Sequence, residues 1–175
     1  MAYEILHFRG SDKILTEKKM NKDIQATLEY VGDVLYGTIH RGELLRQALD
    51  DMGWRSGDNG CLRILEGRRY MYKGFRKDVA IEGSFSLYEF ILEGLFRLQI
   101  GYDKGLIETG ILLLNSSRSE KSPYGSTSKM VREEMVMLEP TISMPVSVAL
   151  FDLGEPMVLE EEGGEPNGVP VSADG

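Results

Sequence analysis

The chain contains one cysteine, Cys61, and two histidines, His7 and His40. That excludes a disulfide within the chain and a thiolate zinc site, and it makes a histidine-rich metal site unexpected. No run of roughly 18 apolar residues occurs, so no membrane-spanning helix is expected. Residues 1–9 lack a basic segment followed by an apolar stretch, so no secretory signal is read there and a cytoplasmic location is expected. GxGxxG and GxxxxGK[ST] phosphate loops are missing too, as are internal repeats. Neither histidine has an acidic or nucleophilic partner at a readable spacing, so no catalytic triad can be drawn.

Positive charge is scarce only in the sum. The net charge is −8, with 28 acids against 20 bases. Six of those acids (Glu155, Glu160, Glu161, Glu162, Glu165 and Asp174) fall after Gly154, in a segment without Lys or Arg. Residues 1–154 keep 22 acids and 20 bases, a net −2, so the acidity belongs to the tail and nucleic acid is not excluded as a partner. The hydrophobic fraction of 42% over 175 residues is enough for a core. The reading is one domain over residues 1–154 and a flexible acidic tail over 155–175.

Tyr3–Phe8 alternates as a short strand does. Ile24, Leu28, Val31 and Leu35 mark an amphipathic helix from about Lys22, and Leu44, Leu45, Ala48, Leu49 and Met52 mark a second from about Gly42, ended by Gly53. Leu62–Leu65 and Arg69–Tyr72 read as a hairpin turning at Glu66–Gly67, followed by a turn near Gly74 and a strand Asp78–Phe85. A helix from Ser86 to Tyr102 is expected, with Ser86 as N-cap and Glu89 at the capping-box position. Residues 106–114 form an apolar run suited to a strand covered on both faces. A polar loop over residues 115–128, a short helix over 130–138 and a last strand over 143–153 complete an α/β or α+β domain with a mixed sheet.

The strand Asp78–Phe85 is the best candidate site. Metal-dependent phosphodiesterases hold Mg²⁺ with a carboxylate in mid-strand and a second acid on the same face, because the hard cation prefers oxygen ligands and activates a bound water. Glu82 is that middle acid, with Asp78 and Ser84 assigned to its face. The bland alternative is an acid on the solvent side of a half-buried strand. Six cations in fifteen positions (Arg63, Arg68, Arg69, Lys73, Arg76 and Lys77) suit phosphate contacts, or equally a solvated hairpin edge. The loop with Arg118 and Lys121, followed by Lys129, is a weaker candidate of the same kind. Glu89 and Glu93, one helical turn apart, form a conceivable metal pair on a face that more commonly meets solvent.

The stretches KDVAIEGSF, LFRLQIGYDKGLIETGILLL, SPYGSTSKMVREEM and PTISMPVSVALFDLG, preceded by LLRQALDDMGW, resemble the core of type II restriction endonucleases of the BglII and BstYI group. The likeness spans roughly residues 40–154 and lies mostly in hydrophobic pattern. It implies a PD-(D/E)xK nuclease fold, a homodimer, and Mg²⁺-dependent hydrolysis of a DNA phosphodiester. It makes Glu82 the glutamate of the central strand. Nine residues before it, where the group carries an aspartate, stands Lys73; two residues after it, where the group carries Gln or Lys, stands Ser84. With Lys73 unable to bind a cation, Asp78 or Glu66 is the expected second metal ligand beside Glu82. Arg68, Arg69, Lys73, Arg76 and Lys77 are the expected phosphate contacts. A catalytically inactive relative that binds nucleic acid or protein is the alternative, with the acidic tail lying against the basic surface.

Overall fold

The apolar run around residue 110 forms the centre of a five-stranded sheet. The computed structural model describes residues 3–55, 62–86, 88, 90–116 and 126–157. Strands β1 (Tyr3–Phe8), β2 (Gly74–Arg76), β3 (Val79–Ser84), β4 (Thr109–Asn115) and β5 (Val146–Phe151) pair in the order β1-β5-β4-β3-β2. The three inner strands are parallel and the two edge strands antiparallel to their neighbours. Every residue of β5 is buried, and every residue of β4 except Asn115, as strands covered on both faces require.

Helices α1 (Ser11–Glu17), α2 (Asn21–Leu35) and α3 (Arg41–Asp51) pack on one face of the sheet, and α4 (Phe90–Asp103) and α5 (Thr127–Met137) on the other. On the first face Leu28, Leu35, Leu49 and Trp54 meet Val79, Ile81, Ile111, Leu113 and Phe151. On the second, Ile91, Leu95, Leu98 and Met135 meet Ala80, Leu112, Val146 and Val148. The architecture is thus α/β with a mixed sheet, as the sequence led one to expect. Trp54 is fully buried and donates its indole N–H to Thr27 Oγ1 at 2.9 Å. Glycine at 94 lets α4 lie close on the sheet, because a Cβ there would collide with a δ-methyl of Leu112. Among the described residues no helix is long and apolar enough to cross a membrane.

Local expectations change at five places. Asp78 is not in the strand: Lys77 (φ 49°) and Asp78 (φ 63°) form a two-residue hairpin turn between β2 and β3, and extended alternation starts at Val79. The turn assigned near Gly74 therefore lies at Lys77–Asp78, and Gly74 opens β2. Ser86 is not the N-cap, since the regular helix begins at Phe90; Glu89 lies outside the described residues. The segment Leu62–Tyr72 folds back on itself through Ile64 N–H to Tyr70 O (2.8 Å) and an isolated bridge between Arg63 and Met71, without becoming two regular strands. Helix α1 had no readable periodicity over its seven residues, and α5 starts earlier, at Thr127, capped by Ser126 Oγ accepting from the Lys129 amide.

Candidate functional site

Antiparallel pairing sets Gly74 opposite Ile81 and Arg76 opposite Val79. Continuing that ladder by one step places Lys73 opposite Glu82. Glu82 points to the α4 face of the sheet and is only 4% exposed. There it meets Arg97, whose Nε lies 3.4 Å from Glu82 Oε2. The same guanidinium reaches Glu93 Oε1 through Nη1 at 3.6 Å and donates from Nη2 to the Met71 carbonyl at 2.9 Å. The Tyr72 hydroxyl donates to the Arg97 carbonyl at 2.8 Å, so this arginine is tied to the 71–72 segment through both its head and its backbone. Burial and the neighbouring Glu82 carboxylate hold the Tyr72 hydroxyl above its ordinary pKa.

Lys73, Glu82, Glu93 and Arg97 border a cavity of about 540 Å³ at the C-terminal end of β3, the end of a parallel strand where open α/β sheets bind ligands. Ser84 and Ser86 line it with them. Thr38, from the turn before α3, Arg41, the first residue of α3, and Pro156 line it as well. The segment Leu153–Met157 reaches this place by bracketing Gly37: the Gly37 amide donates to Leu153 O at 2.8 Å and the Met157 amide to Gly37 O at 2.9 Å. Arg41 Nη2 adds a bond to Gly154 O at 3.1 Å.

Burial pushes the Glu82 carboxyl up to about 7, against the opposing pull of Arg97 and Lys73. Burial likewise lowers the Lys73 ammonium, with Glu82 opposing and Arg46, Arg97 and Arg55 adding repulsion. The surroundings of Glu82 are therefore rich in cations. Sequence reasoning found Lys73 but not Arg41, Arg46, Arg55 or Arg97. The readable signal for Arg97 was its i, i+4 spacing from Glu93.

Of the residues expected at the site, the structure brings together Glu82, Ser84 and Lys73. Asp78 stands apart: it is exposed in the turn, and its carbonyl accepts from the Glu108 amide at 2.8 Å. Glu66 is exposed at the tip of the Leu62–Tyr72 segment and does not line the cavity. Arg63, Arg68, Arg69 and Lys77 are exposed, whereas Arg76 is engaged by Asp23 at 3.4 Å. Lys129 is exposed on α5 and pairs with Glu133 at 3.9 Å. Arg118, Lys121 and Cys61 lie outside the described residues. His7 does have a partner, 140 positions away: its Nδ1 lies 2.7 Å from Ser147 Oγ, itself 2.8 Å from Ser11 Oγ. Both serines are fully buried, so this chain ties β1, β5 and α1 together and presents no reachable nucleophile.

Mg²⁺ demands near-octahedral oxygen ligands. The cavity has two carboxylates, Glu82 and Glu93, the second more than half exposed, and one guanidinium contacts both. Lys73 balances the charge further. Among the described residues no three of His, Cys, Asp and Glu gather to hold a metal. The donor set does not fit the ion.

Fold and site position define the class: an α/β fold of the restriction-endonuclease type. The solved structure of restriction endonuclease BglII complexed with a DNA 16-mer shares it, with a TM-score of 0.59, 14% identity, and coverage of 86% of this chain and 76% of that one. Free BglII shares it with a TM-score of 0.52, 17% identity, and coverage of 87% and 80%. No protein-family model and no curated protein sequence matches the chain.

Proposed function

We propose that the chain is a nucleic-acid-binding protein on a nuclease fold, which holds phosphates with cations and does not hydrolyse them. One observation carries this: the strand carboxylate Glu82 is faced by Arg97, an arginine anchored to the neighbouring 71–72 segment, with Lys73 across the ladder. With Arg41, three cations face two carboxylates in this pocket before any metal arrives, so a divalent ion would add its charge to an excess of positive charge. A nucleic-acid partner is supported by the fold shared with BglII, a structure of which holds DNA, and by exposed Arg63, Arg68, Arg69 and Lys77, whose charge is sequence-blind and suits a phosphate backbone. Arg118, Lys121 and Lys129 belong to the same reading.

A second reading, the Mg²⁺-dependent endonuclease, is favoured by one feature: Glu82 and Glu93 border the same cavity and share one guanidinium. Homodimerisation is part of both readings; exposed Leu92 and Phe96 on α4 and Val136 and Met137 on α5 are apolar surface available to a second copy. The acidic tail is proposed to lie against the cationic surface, which is supported by Pro156 at the cavity.

The test is incubation of plasmid and genomic DNA with the protein and Mg²⁺ or Mn²⁺, alongside a binding titration on the same DNA. Retention without cutting is the expected result. Discrete cutting that disappears in Glu82→Ala overturns it in favour of the endonuclease.

A further inference from the structure

Among the described residues, three side-chain polar atoms are shielded from solvent and have no hydrogen-bond partner: Arg41 Nε, Arg97 Nε and Glu82 Oε1. All three belong to residues lining the one cavity described above. Leaving a buried polar group unpaired is costly, more so when it is charged, so such groups are normally satisfied by protein, water or ligand. The set has a definite chemistry. Two guanidinium N–H groups require acceptor oxygens, and a carboxylate oxygen requires a proton donor.

We infer that this cavity binds a phosphate monoester, either the terminal phosphate of a nucleic-acid strand or that of a free nucleotide. The inference rests on the nucleic-acid reading above and names the ligand at its central cavity. An internal phosphodiester brings a single negative charge to Arg41, Arg97 and Lys73. A monoester, with its second ionisation near pH 6, brings nearly two charges to those cations at neutral pH, and one proton, held by Glu82 or by the phosphate, bridges it to the carboxylate. Entry is through the weak contact in the site: Arg97 Nε lies within ion-pair distance of Glu82 but makes no hydrogen bond to it. A phosphate seated between them replaces one poorly aligned contact with two charge-assisted bonds. Lys73 adds positive charge, and Ser84 and Ser86 line the same cavity. The volume, about 540 Å³, falls within the range of small-molecule pockets and leaves space for the attached sugar and base.

The experiment uses the full chain in EDTA at fixed ionic strength. One short labelled oligonucleotide is titrated in three forms: 5′-phosphate, 3′-phosphate, and hydroxyl at both ends. Deoxyadenosine 5′-monophosphate, deoxyadenosine and inorganic phosphate serve as competitors. The expected result is that one phosphorylated form binds about tenfold tighter than the hydroxyl form, with the ratio falling toward one in Arg97→Lys. Arg41→Lys gives the same readout if Arg97→Lys does not fold, and the competitors test the wild type without any variant. Competition by the monophosphate but not the nucleoside assigns the site to free nucleotides; lack of such competition, with the end preference retained, assigns it to strand ends. Equal binding of all three forms overturns the monoester site while the nucleic-acid reading stands. Binding of the monophosphate with no oligonucleotide bound upholds the site and removes the nucleic-acid reading. If neither binds, both fall.

Discussion

Helix α4 carries two buried polar arrangements two residues apart, and they differ in kind. Gln99 is 6% exposed and well satisfied: its amide donates to Asp103 Oδ1 (2.8 Å) and Ser143 Oγ (3.1 Å), and its carbonyl accepts from the Ser143 and Met144 amides (2.9 and 3.0 Å). Arg97 and Glu82 touch, yet each retains an unpaired polar atom. The first arrangement closes on itself and fastens the chain before β5 to α4. The second is incomplete and faces a cavity. Burial alone does not separate a structural polar group from a functional one; the degree to which its bonds are already made does.

Substitutions can break that contrast. Arg97→Met is expected to have the largest effect, about 3–5 kcal/mol of stability well above pH 7, where it strands a buried carboxylate, and a smaller one near pH 7, where Glu82 takes up a proton; urea unfolding at the two pH values measures it. Next comes the pH dependence of the wild type. The Glu82 carboxyl titrates near 7 in the folded chain, above its ordinary 4.5, so the fold keeps a proton that the unfolded chain has released. Stability therefore falls as pH rises from about 4.5 to 7 and levels off above, a loss on the order of 3 kcal/mol. Glu82→Gln should flatten that segment in thermal melts across the same window; a Gln variant that keeps the slope would assign it to other groups. Gln99→Leu should cost about 2 kcal/mol at every pH, by leaving two amides unsatisfied. Arg68→Ala with Arg69→Ala should change stability by less than about 0.5 kcal/mol. The same pair should weaken DNA binding and lower the slope of log affinity against log salt by about 1–2 units.

Much of the fold was legible because its signals are local. The i, i+4, i+7 spacing of Ile24, Leu28 and Val31 gave α2, and the unbroken apolar run gave β4. Glu82 stood out as an acid in a strand, and its face was assigned correctly from Ala80 and Ser84. Its neighbours were harder to read. Alternation does not show where extended backbone begins, so Asp78 was counted into a strand that starts one residue later. The turn at Lys77–Asp78 uses positive φ without glycine, which removed the usual marker. Had it been recognised, symmetry about it would have set Lys73 opposite Glu82. Arg97 depends on how α4 is rotated on the sheet, and the bracket around Gly37 depends on a contact more than a hundred residues long. Neither leaves a trace in spacing.

The bracket has a kinetic and competitive meaning. Met157 is fixed beside Gly37, next to the cavity, and Glu160 follows only three residues later. In the proposed tail contact, a tethered acidic segment would act at an effective concentration in the millimolar range, on the order of what a short linker confers. If the acidic tail lies against the cationic surface as proposed, a chain ending at Met157 should bind DNA more tightly than the full chain, and equal affinity of the two would remove that contact.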